Sequence, residues 1–127
     1  MTSIFKFTFY TLTLFLIVLS LFPGSLIGFL LYGDLGRQPD FIENPFGTTI
    51  NHFIFYVLFC IFGFFIHIRS KNFKNLFYLL FFLAALLEII HLIVPNRAFQ
   101  IGDLIGNILG VLVAYSFAKI YLLINKT

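Results

Sequence analysis

Charge is what this sequence has least of. Only 10% of its 127 residues are charged, 61% are hydrophobic and the mean hydropathy is +1.04. A soluble domain carries about 25% charged residues, so this chain has too few polar groups to cover a water-facing surface. Large exposed apolar patches cause aggregation in water. The composition therefore predicts an integral membrane protein surrounded by the lipid bilayer.

Cysteine and basic residues are also scarce. A single Cys60 excludes an internal disulfide, and its place within an apolar run indicates a small buried hydrophobe. The net charge of +3 is too small to indicate nucleic-acid binding. No Ser-His-Asp order, phosphate-cradling glycine loop or Cys-His pair is present, so the sequence names no catalytic residue and more readily indicates a protein that is not an enzyme.

Long apolar runs are what the sequence has most of. The runs cover about residues 5–22, 50–68, 76–94 and 101–124. Each is close to the ~20 residues that cross a bilayer core of ~30 Å. Backbone groups in lipid must pair within the segment, which favours helices over strands. We predict an all-α bundle of four transmembrane helices in one domain, 1–127, leaving open whether the first helix continues past Pro23 to Tyr32.

Within the first run, Lys6 followed by the apolar segment Phe7 to Leu21 also resembles a secretory signal peptide. However, the stretch that ends at Pro23-Gly24-Ser25 lacks an A-x-A-like cleavage site, and apolar residues resume at Leu26. We therefore interpret the run as a retained span.

Basic residues predict the orientation, because they collect in cytoplasmic loops. With a cytoplasmic N-terminus, six lie inside (Lys6, Arg69, Lys71, Lys74, Lys119 and Lys126) and two outside (Arg37 and Arg97). Both termini are thus predicted to be cytoplasmic. All five acidic residues then fall in the outer half of the protein: Asp34, Asp40, Glu43, Glu88 and Asp103.

Polar side chains recur at one level near the predicted outer surface. Each of the last three spans carries two of them at helical spacing, and the turn after the third span adds an arginine. The set is His52, Tyr56, Glu88, His91, Arg97, Asp103 and Asn107. An ionisable group within a span costs about 2.5–3.5 kcal/mol, so such residues usually face the bundle and pair. We predict a buried polar pocket that opens outward.

Two other interpretations of this cluster are weaker. Interhelical polar contacts contribute only about 0.6 kcal/mol on average, so helix association alone explains the cluster poorly. Its histidines and carboxylates are competent zinc ligands. Even so, one Glu-x-x-His is a weak signal, and Arg97 is available to pair with Glu88. We therefore expect no metal and no cofactor.

Small residues recur on the fourth span at Gly102, Gly106 and Gly110. Glycines at this spacing let another backbone approach closely. We expect them to pack against a helix of the same chain, and the oligomeric state stays open.

These residues resemble the signature of the VanZ-like family of bacterial membrane proteins. The family pattern reads E-x-x-Q, P-x-R and D-x-x-x-N-x-x-G across its last two helices, and this chain has Glu88 to His91, Pro95 to Arg97 and Asp103 to Gly110. The opening of its second helix, H-F-x-x-Y, is matched at 52–56. Leu19-Ser20-Leu21-Phe22-Pro23 is similar to the end of its first helix.

Two departures from the family pattern stand out. His91 replaces the usual glutamine, which adds a titratable group. The Asp-Lys pair common before the second helix is absent, with Gly47, Thr48 and Thr49 in that region.

The resemblance implies a four-helix protein of the bacterial cytoplasmic membrane, with some members linked to resistance against teicoplanin. From the residues we expect an outer-leaflet pocket that binds an envelope lipid or an anionic headgroup. In that pocket Arg97 would contact the ligand, Asn107 and His91 would orient it, and Glu88 would hold Arg97. A non-catalytic accessory subunit is the first alternative. The second is an enzyme with His52 or His91 as the acid or base.

Cysteine labelling tests the predicted orientation. In a Cys60→Ala background, we expect Ser70→Cys to react with an impermeant thiol reagent only after the membrane is opened, and Ala98→Cys to react in intact cells. Reaction of Ser70→Cys in intact cells would invert the topology.

Overall fold

The computed structural model describes residues 2–39, 41–42 and 45–125, and these residues contain five helices and no strand. Asp40, Glu43 and Lys126, which entered the charge argument, lie outside the described residues. The helices are α1 (Thr2–Leu21), α2 (Leu26–Tyr32), α3 (Thr49–Ile66), α4 (Phe73–Ile90) and α5 (Ile101–Ile124). Four of them, α1, α3, α4 and α5, are long and apolar enough to cross a membrane, which confirms the predicted fold class.

The question left open at Pro23 is resolved by a break in the chain. α1 ends at Leu21, and a separate short helix, α2, begins at Leu26. Ser25 caps α2, because its Oγ accepts a hydrogen bond from the backbone N–H of Gly28 at 2.9 Å. Gly24 between the two helices has φ +79°, a conformation that a side chain rarely adopts.

α4 lies earlier in the chain than predicted. It begins at Phe73 and ends at Ile90, whereas the apolar run suggested residues 76–94. Residues 91–94 form turns instead. Pro95 is a physical reason for this early end, since a proline disfavours helical backbone in the residue before it. The consequence is that His91 and Arg97 lie in one compact connection between α4 and α5.

The closest packing in the bundle joins α3 and α5, which make the most extensive contact between helices. A Cβ on Gly106 would stand 2.7 Å from the carbonyl oxygen of Thr49, and one on Gly110 would stand 2.8 Å from that of Phe53. The glycine ladder of α5 therefore lies directly against the backbone of α3. This close approach aligns the polar side chains of the two helices.

The core beneath the ladder is apolar and largely aromatic. Cys60 and Phe64 of α3 are fully buried, as was expected for Cys60. Tyr115 of α5 stacks on Phe77 of α4 with 4.2 Å between ring centroids. His67, which follows the last residue of α3, is also buried, at 5% exposure.

α1 is the most peripheral of the four long helices. Only 6% of its span is buried, against 28–33% for the other three. Phe9, which is 1% exposed, anchors it by lying on Gly63 of α3. Tyr10 lies 3.1 Å from the Nε2 atom of His67. Most of the α1 surface therefore faces lipid.

Substituting the ladder glycines tests how closely the helices approach. Gly110→Ala places a methyl group against the backbone of Phe53, so overpacking of about 1–3 kcal/mol exceeds the ~1 kcal/mol that alanine gains in helix propensity. We expect a lower free energy of unfolding in mixed micelles. Gly102→Ala is the matched control, because its new methyl group meets only the Thr49 side chain. Equal stability of Gly110→Ala and wild type would contradict the packing.

Candidate functional site

The polar residues gather at the end of the bundle where α1 and α4 finish and α3 and α5 begin, here called the site end. A cavity of about 260 Å³ opens there. It lies among all five helices, and Gln38, Pro39 and Phe41 also contribute to its wall. Its apolar wall includes Leu16, Leu19, Leu26, Ile27, Phe55 and Leu87. The lining of the pocket is thus both apolar and polar.

Arg97 and His91 hold the last turn of α1 in place. Arg97 donates from Nη2 to the carbonyl oxygen of Leu19 at 2.7 Å and, more weakly, from Nε to that of Phe22 at 3.4 Å. The His91 ring lies with Nε2 3.2 Å from the carbonyl oxygen of Ser20. Helix ends leave carbonyls without partners, and a cation is favourable at that end of the helix dipole. These two side chains therefore form a cap on α1, supplied from the connection between α4 and α5.

Glu88 occupies the floor of the pocket and is 1% exposed. Its Oε1 accepts a hydrogen bond from the backbone N–H of Gln100 at 3.1 Å, and its Oε2 lies 3.3 Å from Nδ1 of His91. Gln100 is the residue before α5, so the carboxylate sits at the N-terminus of that helix. Glu88 was expected to pair with Arg97. Among the described residues these two side chains form no ion pair, because Arg97 donates its hydrogen bonds to the end of α1.

His52 of α3 is oriented by Asn107 of α5. Nδ1 of the histidine lies 3.0 Å from Oδ1 of the asparagine. The asparagine Nδ2 donates to the carbonyl oxygen of Ala84 at 3.4 Å, which places its oxygen toward the histidine. An amide oxygen only accepts hydrogen bonds, so Nδ1 of His52 carries the hydrogen and Nε2 faces away from Asn107.

Asp103 of α5 lies close to the His52 ring and is 2% exposed. Thr48 donates its hydroxyl to this carboxylate, with 3.0 and 2.8 Å to the two oxygens. Nε2 of His52 is 3.6 Å from Oδ2 of Asp103. Because Asp103 is in the first turn of α5, the helix dipole also favours its negative charge.

The electrostatics of the site combine two buried carboxylates with one permanent cation. Burial lowers the pKa of the Arg97 guanidinium from its ordinary value, while nearby Glu88 acts in the opposite direction. An arginine pKa starts so high that the group stays protonated. The net formal charge of Glu88, Asp103 and Arg97 is therefore negative when both histidines are neutral.

The structure brings all seven residues of the predicted pocket to the site end. Six of them line the cavity: His52, Tyr56, Glu88, His91, Arg97 and Asn107. Asp103 is not on the wall and reaches the cavity only through His52. Their role in binding stays a prediction, because their positions alone do not test it.

Sequence reasoning missed several polar residues of the pocket, among them Thr48 and Ser25. Thr48 precedes His52 by four residues, a helical spacing that extends the same face of α3. That spacing is a usable signal for Thr48. Ser25 lines the cavity while its hydroxyl caps α2, and the sequence carries no such signal for it.

Comparison with known proteins agrees with the resemblance seen in the motifs. The family model described as VanZ/LLP1 matches residues 3–123, which is nearly the whole chain. The chain therefore belongs to the VanZ/LLP1 family of membrane proteins. No curated protein and no solved structure matches it.

Removing the Arg97 guanidinium tests the cap on α1. Hydrogen bonds from charged groups contribute about 1.5–3 kcal/mol, so we expect Arg97→Ala to lower the free energy of unfolding in mixed micelles by that amount. Arg37→Ala is the control, because Arg37 is exposed and lies over the Tyr32 ring at 3.9 Å, a contact worth about 0.5–1 kcal/mol. A smaller loss for Arg97→Ala than for Arg37→Ala would argue against the cap.

Proposed function

We propose that this protein binds an amphipathic lipid of the cell envelope, with the headgroup in the pocket at the site end and the hydrocarbon chain beside α1. The observation that supports the proposal is the mixed lining of the cavity. Aliphatic and aromatic side chains line it together with hydrogen-bonding groups. A lipid is a ligand class that offers both an apolar chain and a polar headgroup to such a lining.

The size of the cavity limits what enters it. Its volume of about 260 Å³ is just below the range of about 300–1,000 Å³ typical of small-molecule sites. A headgroup and the first few carbons of a chain fit this volume, and the rest of the chain remains in the bilayer. α1 suits that arrangement, because it borders the cavity through Leu16 and Leu19 while most of its surface faces lipid.

Arg97 supplies the charged contact for a headgroup. A guanidinium has five N–H donors, and α1 uses two of those on Arg97 among the contacts described above. Because Arg97 also lines the cavity, its other donors can reach a bound phosphate in the planar geometry that favours this ion. We therefore propose an anionic, phosphate-bearing headgroup.

The orientation inferred from the basic residues assigns the pocket to the outer leaflet of a bacterial cytoplasmic membrane, with both termini inside. An outward pocket is consistent with binding or protecting an envelope component. It also offers a physical basis for a role in resistance to a glycopeptide, which would meet the cell from that side.

Narrowing the cavity tests the proposal. Leu16→Trp places an indole in the apolar wall, whereas Leu14→Trp on the same helix is a matched control, since Leu14 is 62% exposed. We expect Leu16→Trp to weaken retention of phosphatidylglycerol by about tenfold, or ~1.4 kcal/mol, in native mass spectrometry of protein released from nanodiscs. Leu14→Trp should match wild type.

Phosphatidylcholine in otherwise identical nanodiscs separates headgroup recognition from general adhesion of lipid. We expect wild type to retain it less than phosphatidylglycerol, because its headgroup has no net negative charge for Arg97. Equal retention of both lipids by wild type, or equal loss in the two tryptophan variants, would remove the proposal.

A further inference from the structure

Three side chains that commonly ligate metals converge from three different helices at the site end. They are His52 of α3, Glu88 of α4 and Asp103 of α5, and one ligand atom of each lies within 4.8 Å of those of the other two. We propose that these three residues form a binding site for a divalent first-row cation of the Zn²⁺ class. The site goes beyond lipid binding and does not depend on it.

The hydrogen bonding of His52 supports this proposal. Asn107 accepts from Nδ1 and therefore leaves Nε2 as the atom that faces Asp103. A metal-bound histidine almost always donates its other ring N–H to an oxygen in this way. Thr48 holds the carboxylate of Asp103 through both oxygens, which is the outer support that ligating carboxylates also receive.

The distance between His52 and Asp103 points in the same direction. At 3.6 Å, Nε2 and Oδ2 are too far apart for a hydrogen bond, which spans about 2.7–3.2 Å. Ligand atoms at ~2.0–2.1 Å from a tetrahedral zinc ion stand about 3.3 Å from each other. The two atoms are thus spaced more like co-ligands than like a hydrogen-bonded pair.

Charge gives an independent reason for a cation. Glu88 and Asp103 are both buried within membrane-spanning helices, where one such group costs about 2.5–3.5 kcal/mol. The helix dipole at the N-terminus of α5 offsets about 0.3–1 kcal/mol of this cost for each carboxylate, or ~2 kcal/mol at most. The sequence predicted that Arg97 would neutralise Glu88 and so exclude a metal, but the hydrogen bonds of Arg97 go to the end of α1. Glu88 and Arg97 therefore form no ion pair among the described residues.

The donor set selects the type of cation. One imidazole with two carboxylates suits zinc or manganese, whereas calcium and magnesium prefer oxygen ligands alone. Three protein ligands leave a coordination position available in zinc sites. Since His52 and Glu88 line the cavity, that position would face the pocket.

Zinc binding by the purified full-length protein is the direct test. After chelator treatment and dialysis in detergent, with no lipid added, isothermal titration with Zn²⁺ should show one ion per chain. X-ray absorption on the zinc-loaded wild type should show a first shell of nitrogen and oxygen with a single imidazole. We expect His52→Gln and Asp103→Asn each to lower zinc affinity by at least about tenfold.

His67→Gln is the control, because this histidine contacts Tyr10 and Gly63 at the end of α3 far from the pocket. It should bind zinc as wild type does. No zinc binding by wild type, or unchanged affinity in both ligand variants, would overturn the site and assign His52 and Asp103 to a simple ion pair. If a variant fails to fold, the imidazole count in wild type decides, since any number other than one contradicts the site.

The zinc proposal and the lipid proposal are tested by independent experiments. Zinc titration contains no lipid, and the tryptophan substitutions on α1 change none of the three ligands. Loss of zinc binding with normal phosphatidylglycerol retention removes only the metal site.

Discussion

A helix end leaves carbonyl groups without partners inside the helix, and each one that is buried away from water costs several kcal/mol unless a donor reaches it. α1 ends in this situation, and the connection between α4 and α5 supplies the donors. Arg97 and His91 contact the carbonyl oxygens of Leu19, Ser20 and Phe22. Both side chains also line the cavity, as do Leu19 and Ser20. The contacts that satisfy this helix terminus therefore also form part of the pocket.

The part of the site formed by α3 and α5 depends on a different constraint, the close approach of these two helices. Glycines at 106 and 110 let the two backbones meet, and the polar residues on either side then pair across the interface. His52 meets Asn107 in this way, and Thr48 meets Asp103. The site therefore joins the closely packed pair of α3 and α5 to α1, the most peripheral of the four long helices.

The sequence predicted what depends on local periodicity and on the cost of burying charge. It indicated four spans, and the structure brings the seven predicted residues to one end of the bundle, because helical spacing aligns residues such as Asp103 and Asn107 on one face. It did not predict the partner of Arg97, since a backbone carbonyl has no sequence signature of its own. The end of α4 was misjudged for a related reason: apolar residues continue beyond Ile90 into turns, so hydropathy alone overextends the helix.

The cap on α1 also has a consequence for biogenesis. Arg97 follows Leu19 by 78 residues, so α1 leaves the ribosome and enters the translocon long before its donor exists. α1 must therefore partition into lipid on its own hydropathy, as the first stage of membrane protein folding requires. The terminal carbonyls of α1 gain these hydrogen bonds only after α4, α5 and the connection between them have been synthesised and inserted. The pocket is therefore the last part of the molecule to form.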